Sequence, residues 1–248
     1  MRDTLTPPTI ERLRFELKRR ALTVTAKNHV TPQMIRITLT SEDLGDFVSG
    51  SFDDHVKIFL PSETEEKVMR DYTPRRYDTD ARELVLDFAL HDAGPATAWA
   101  VEAKVGDTLN IGGPRGSRKI TGDIDAWVLI GDETALPAMG RFAEEAAAGA
   151  KVSMFAAVRD AAEEQVFESA ADLDVTWVHR PEAADAGALL AAVRDVPFGA
   201  GTFIWIAAEA SVTQAVRAYF IEAGHPLVWT KSAGYWVAGE PDKTVSFD

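Results

Sequence analysis

The apolar residues change rhythm midway along the chain. In the first half they fall in short runs with alternating or β-branched character, at 20–28, 34–40, 55–60, 71–77, 83–91 and 107–111. A period of two sends successive side chains to opposite faces of a strand. Turn-forming residues separate the runs at Thr31-Pro32, Pro61-Ser62, Gly106-Asp107 and Gly112-Gly113-Pro114. Six strands at this spacing predict a closed or nearly closed antiparallel β-barrel. One helix interrupts them over 95–103, ending before Gly106.

The second half alternates strand and helix. Residues 126–130 form a continuous apolar run, the mark of a strand buried on both faces. A helix follows over 136–148, with Leu136, Met139, Gly140 and Ala143 on one face and Gly149 as its stop. Then come a strand at 151–158, an acidic segment, a strand at 174–179 and a helix at 186–194. A strand at 202–208, a helix at 211–223 stopped by Gly224, and a strand at 226–231 complete the series. This order predicts a doubly wound parallel α/β domain. The fold class expected is therefore β plus α/β: a six-stranded antiparallel barrel over 1–120, then the parallel α/β domain over 121–248, with the boundary inside 116–125. No internal repeat or low-complexity tract interrupts it, and the Ala-rich stretch 143–150 reads as helix.

Composition narrows the classes. A length of 248 residues suits two domains, and 46% hydrophobic with 26% charged residues is the profile of a globular protein with a full core. The net charge of −13 disfavours nucleic acid and anionic membranes as partners. The absence of cysteine excludes disulfides, thiolate nucleophiles, Cys-ligated zinc and conventional iron–sulfur clusters within this chain. The first residues, Met-Arg-Asp-Thr-Leu-Thr-Pro-Pro, lack the apolar run of a signal peptide, and the apolar stretches 127–130 and 203–208 are too short to span a bilayer. A cytoplasmic location is expected. The five histidines show no metal-ligand spacing, and neither a G-x-S-x-G motif nor a P-loop occurs.

Four segments carry candidate chemistry. Arg70, Tyr72, Thr73 and Arg75 stand at the spacing R-x-Y-T-x-R. If the strand stays regular past Pro74, Arg70 and Tyr72 share one face and Thr73 and Arg75 the other. A ring, a hydroxyl and two guanidinium groups suit a ligand with a flat ring at one end and phosphate at the other, as in a flavin; a solvated edge strand is the plainer reading. In the second segment a strand passes through Gly94-Pro95 into a helix. Pro95 fits the first helical turn, leaving the amides of Ala96, Thr97 and Ala98 to face outward as a pyrophosphate cradle, or to serve as an ordinary helix start. The third, Gly131 to Ala138, lies at the carboxyl end of the first α/β strand, where ligands bind in such sheets. Asp132 or Thr134 is placed to cap the following helix, and two carboxylates there suit a nicotinamide better than a diphosphate. The fourth, Gly234-Tyr235-Trp236, follows the last predicted strand and either shields a flavin ring or packs in the core. Arg159, after the second α/β strand, is placed to pair with the 2′-phosphate of NADPH, against nearby Glu163 and Glu164.

Taken together, R-x-Y-T-x-R, His91…Gly94-Pro95-Ala96…Trp99, Gly112-Gly113-Pro114-Arg115-Gly116, Gly131-Asp-Glu-Thr-Ala-Leu-Pro-Ala138, Trp205…Glu209 and Gly234-Tyr235-Trp236 resemble the siderophore-interacting protein family. The resemblance covers residues 18–240 in the family's order. It implies a ferredoxin-reductase-like, FAD-dependent enzyme that reduces ferric siderophores in the cytoplasm. Electrons come from NADPH or NADH or, in some members, from ferredoxin. By position, Arg70, Tyr72 and Thr73 hold the flavin ring and ribityl-phosphate, with Arg75 in the same segment. His91 lies near the FAD diphosphate or adenosine, and Gly94, Ala96 and Thr97 form the cradle. Asp132, Thr134 and Ala135 line the nicotinamide approach, with Glu209 at another strand end, and Tyr235 and Trp236 stand near the flavin. No side chain need act as acid or base, because the cofactor carries the redox chemistry. The chain departs from the family pattern at Pro74, Asp92 and Val237. A siderophore-binding module without hydride transfer, and a flavin reductase with another acceptor, remain as alternatives.

Overall fold

The computed structural model describes residues 6–61, 68–90, 94–240 and 242–247. The chain divides into two compact units, one of residues 11–119 and one of residues 1–10 with 120–248. It opens with strand β1 (Thr9–Arg14) and enters the first unit through β2 (Arg19–Thr31), β3 (Met34–Thr40), β4 (Val56–Leu60), β5 (Val68–Tyr72), β6 (Pro74–Asp78) and β7 (Glu83–Ala89). Helix α1 (Pro95–Glu102) separates β7 from β8 (Thr108–Gly112), and β9 (Gly116–Thr121) pairs with β1.

Seven of these strands make one antiparallel sheet in the order β5-β4-β8-β2-β3-β7-β6. Its two edges, β5 and β6, are consecutive in sequence and joined by Thr73 alone. Such a link spans no more than about 7 Å, so the edges must meet there and the sheet must curl on itself. The single strand expected over 71–77 is thus two strands, and the sheet has seven rather than six. Pro74 explains the break, since a residue without an N–H is suited to the first position of an edge strand.

The second half of the motif is also irregular. In the β6–β7 ladder Pro74 faces Leu86 and Arg76 faces Val85, so Arg75 is the extra residue of a bulge. A bulge re-aims a side chain. Arg75 is only 4% exposed, with Nε 3.7 Å from Asp87 Oδ2. Asp87 also accepts two 2.7 Å bonds from Nε and Nη2 of Arg36. The face alternation expected past Pro74 therefore does not hold. Leu22, Val24, Ile35, Ile37, Leu39, Ile58, Leu86, Phe88 and Ile111 fill the interior, closed by Ala96 and Ala100 of α1.

The second unit contains β10 (Ala126–Gly131), α2 (Leu136–Glu145), β11 (Lys151–Val158), β12 (Asp172–His179), α3 (Ala186–Val193), β13 (Thr202–Glu209), α4 (Ala210–Glu222), β14 (Thr230–Trp236) and β15 (Val245–Ser246). The sheet order is β12-β11-β10-β13-β14-β15, parallel except for β15. The chain reverses direction across the sheet between β10 and β13, which is the switch point where ligands bind in open α/β sheets. Val128, Ile130, Ile204 and Ile206 pack beneath α3 and α4, against Leu189, Val193, Val212, Val216 and Phe220. Trp127 faces the other way, its ring 4.7 Å from Phe142 of α2.

Among the boundaries that differ from those expected, two have a visible cause. Helix α2 ends at Glu145, because the Ser169 hydroxyl takes the Ala143 carbonyl and Ala146 is already extended. The last parallel strand begins later than residue 226. Residues 227–229 form a tight turn in which the Trp229 N–H donates to the Pro226 carbonyl at 2.9 Å. Gly234, Tyr235 and Trp236 consequently lie inside β14 rather than after it.

Gly131 ends β10 where α2 approaches the sheet. A Cβ there would stand 2.6 Å from Ala135 Cβ, 2.7 Å from Met139 Sδ and 2.9 Å from the Ala207 carbonyl oxygen. Gly131→Ala is predicted to cost about 1–3 kcal/mol through overpacking. Urea unfolding should show a lower midpoint at unchanged slope. An unaltered midpoint would mean that the strand end moves aside freely.

Candidate functional site

In the antiparallel unit, the R-x-Y-T segment connects to α1 through the core ring of Phe88. Arg70 and Tyr72 lie half-buried on one face of β5, with the Arg70 Nη1 donating to the Met69 carbonyl at 2.7 Å. The Tyr72 ring packs on Phe88 at 4.4 Å, and Phe88 packs on Trp99 of α1 at 5.5 Å. A row of three rings thus leads from the edge strand to the helix. Burial pushes the Tyr72 phenol well above its ordinary value, against the opposing effect of the Arg70 charge, so it stays a neutral donor. Thr73 is buried in the link between the two edges.

Helix α1 starts as the sequence suggests, with Gly94 as an extended N-cap and Pro95 in the first turn. The Ala98 N–H, however, donates to the Gly94 carbonyl at 3.0 Å. Ala98 is therefore engaged within the helix and drops out of the expected cradle. The first turn carries no acidic side chain. An acid-free helix start, a guanidinium and a ring row form a donor set that fits a flavin dinucleotide. His91 falls outside the described residues.

In the parallel unit, one buried carboxylate ties four strand ends together. Asp132 follows β10 and is fully buried. Its Oδ1 accepts from the Thr134 N–H at 3.0 Å and the Thr134 hydroxyl at 2.5 Å. Its Oδ2 accepts from the Glu209 N–H and from the Trp236 indole Nε1–H, each at 2.9 Å. Arg180, one residue past β12, places Nη2 3.6 Å from the same oxygen and 2.8 Å from Glu133 Oε2. Asp132 does not cap α2: the N-cap is Ala135, and no side chain bonds to it there. Only the Asp132 carbonyl serves that turn, accepting from the Ala135 and Leu136 amides.

Glu209 caps α4 instead. Its Oε2 accepts from the Ser211 N–H at 2.6 Å, the Val212 N–H at 3.1 Å and the Ser211 hydroxyl, while Oε1 accepts from the Ala238 N–H at 3.2 Å. Burial pushes its carboxyl up, but the bonds from Ser211, Ala238 and Val212 outweigh this and hold it below the ordinary value. Asp132, Ala135 and Glu209 thus build the carboxyl edge from within, whereas Thr134, Tyr235 and Trp236 are partly exposed on it. The Tyr235 ring stands edge-on to buried Trp205 at 6.1 Å.

Sequence reasoning missed Glu133 and Arg180. The available signal for Arg180 was its place just beyond a parallel strand, the same logic that singled out Arg159. Arg159 is exposed one residue past β11. The two carboxylates expected to oppose a phosphate there are otherwise engaged. Glu163 is buried, and Glu164 pairs with His179 Nε2 at 2.8 Å. Among the described residues no helix is long and apolar enough to cross a membrane.

A curled antiparallel sheet followed by a parallel α/β sheet is a ferredoxin-reductase-like fold, shared with a solved ferredoxin NADP+ reductase from Neisseria gonorrhoeae at a TM-score of 0.56 and 14% identity, over 84% of this chain and 92% of that one. The profile described as siderophore-interacting FAD-binding domain matches residues 23–68 and 61–118, and that described as siderophore-interacting protein matches residues 124–239. The chain belongs to the siderophore-interacting protein family. It is 33% identical to an NADPH-dependent ferric-chelate reductase of Escherichia coli K12, over 94% of this chain and 98% of that one. It is 27% identical to the ferric vibriobactin reductase ViuB of Vibrio cholerae, over 73% of this chain and 74% of that one. The solved structure of a siderophore utilization protein from T. fusca matches with a TM-score of 0.86 and 35% identity, over 95% of this chain and 98% of that one.

Glu133 gives the site a pH dependence. Burial pushes its carboxyl up, the neighbouring Asp132 charge pushes it further, and Arg180 only partly opposes them, leaving it at about 7 against an ordinary 4.5. A value raised by folding means the folded state favours the proton. The corresponding stability is complete below 4.5 and lost as pH rises through about 7. Glu133→Gln should therefore be more stable than the parent by roughly 1–3 kcal/mol near pH 8, with the two converging near pH 4. Chemical unfolding across that range measures it. Parallel curves would show that Glu133 titrates like an exposed carboxyl.

Proposed function

We propose that this protein is a FAD-dependent reductase that converts Fe(III) in ferric siderophores to Fe(II) in the cytoplasm, with NADPH as electron donor. The observation that carries this reading is the ring row Tyr72–Phe88–Trp99, which runs from the edge strand to α1, a helix whose first turn holds no acidic side chain. The activities named for the E. coli and V. cholerae relatives point the same way. When bound, FAD supplies the conversion of a two-electron hydride donor into one-electron reduction of iron.

The chain's own residues bind and orient. Tyr72 offers a ring face and a neutral phenol beside the isoalloxazine, and Thr73 adds a hydroxyl at the link between the edges. Arg70 pairs with phosphate, and the start of α1 at Gly94 and Ala96 receives the diphosphate. Arg75, turned inward to Asp87, supports the segment rather than touching the ligand. On the parallel unit, Thr134, Tyr235 and Trp236 present the edge that receives the nicotinamide. Arg159 favours NADPH over NADH and ferredoxin, because a free guanidinium edge suits a 2′-phosphate once Glu163 is buried and Glu164 is paired. Reduction weakens the hard-oxygen chelate of the siderophore, and the iron leaves.

Two measurements test this. Stopped-flow mixing of the flavin-loaded protein with NADPH, NADH and reduced ferredoxin should bleach the flavin fastest with NADPH; a folded protein that binds no FAD when supplied with it would end the proposal. Arg70→Ala should weaken FAD binding by about 1.5–3 kcal/mol if the guanidinium makes a charge-assisted bond to phosphate. Titration by flavin fluorescence reads this, and unchanged affinity would make Arg70 an ordinary strand residue.

A further inference from the structure

Most of the carboxyl edge has a local explanation, as does Asp132 Oδ1, which serves Thr134, but Asp132 Oδ2 does not. A buried carboxylate just before a helix is usually spent on the first-turn amides. Here α2 takes no side-chain cap, and the carboxylate reaches across the switch point. Its Oδ2 takes the Glu209 N–H, which fixes the end of β13, and the Trp236 indole N–H, 104 residues away in sequence. Four donors and the guanidinium of Arg180 at 3.6 Å surround it. A charge-assisted bond from a fully buried acceptor holds its donor in one orientation more firmly than a bond to water. Trp236, by contrast, is partly exposed. An aromatic side chain at a strand end, open on one face and pinned by its polar edge, is a preorganised surface.

We infer that Asp132 is a positioning residue: through Oδ2 it holds the Trp236 indole still at the carboxyl edge of the parallel sheet, so that the nicotinamide meets a fixed aromatic wall. Asp132 itself is buried and touches no ligand. The inference rests on the reductase reading above.

The test combines Asp132→Asn, Trp236→Phe and the double variant, each as the full flavin-loaded chain. Trp236→Phe keeps a ring and removes only the N–H. It also identifies the Trp236 resonance among the six indole N–H signals in a ¹H–¹⁵N spectrum. That signal should exchange slowly with solvent in the parent and should shift or broaden in Asp132→Asn. In steady state, each single variant should raise KM for NADPH about fivefold, with kcat falling less than KM rises, and the double variant should be no worse than the worse single, because coupled groups are not additive. Effects that multiply would overturn the inference. So would an indole signal indifferent to Asp132→Asn. Should Asp132→Asn fail to fold, Trp236→Phe decides alone, since an unchanged KM means that the anchored N–H does not matter. A parent protein that never oxidises NADPH sinks the reductase reading instead, and the indole signal still reports the anchor.

Discussion

The antiparallel unit depends on one short link. Thr73 joins the two edges of a seven-stranded sheet, so the chain can make β5 and β6 only if the sheet curls until its edges meet. The two strands stay the edges of the sheet, converging at Thr73 with no ladder between them among the described residues. The link also sets the chemistry. Tyr72 ends one edge and packs on Phe88, while the bulge just beyond Pro74 turns Arg75 inward to Asp87. Burying the Arg75 guanidinium with the Asp87 carboxylate carries a desolvation cost, which the paired bonds from partly exposed Arg36 offset in part. The helix that supplies the cradle is fixed at its other end, where the Lys27 ammonium donates to the carbonyls of Val101 and Ala103. A cation at a helix C-terminus is favourable, and here it also ties α1 to β2.

The parallel unit solves a different problem. Five parallel strands end on one edge, and each loop beyond them is polar. Asp132, Glu133, Arg180, Glu209 and Trp236 share those ends in one network, with two carboxylates on a single guanidinium. Burial above all, and then the Asp132 charge, lift Glu133 towards neutrality, while Asp132 accepts from direct donors. The result is a firm floor with a partly exposed aromatic and hydroxyl surface above it.

Much of this was legible in the sequence, because local periodicity dominates it. The change from period-two runs to alternating strands and helices gave the two folds, and β11 appeared with the bounds observed. The motif residues were recognisable as types suited to a flavin. What was not legible depends on partners far along the chain. Pro74 splits a strand only because β5 pairs with β4 and β6 with β7. The inward turn of Arg75 follows from a register shift that no local pattern encodes. The apolar run from Pro226 to Trp229 resembles a strand, yet Leu227 and Val228 are exposed and the parallel strand starts at Thr230. Arg180 becomes part of the site only when β12 is laid beside β11 and β10. Asp132 reads locally as a cap for α2, but its distant partners make its carboxylate an acceptor for Glu209 and Trp236 instead.

The central claim is that this fold couples a two-electron nicotinamide donor to one-electron reduction of chelated iron. The most direct measurement is anaerobic: FAD-loaded protein, a known amount of NADPH and excess ferric siderophore, with a chromogenic Fe(II) chelator to count product. The expected result is two Fe(II) for each NADPH consumed, and none when FAD is left out. Fe(II) appearing at the same rate without FAD, or no Fe(II) at all while the flavin is bound, would contradict it.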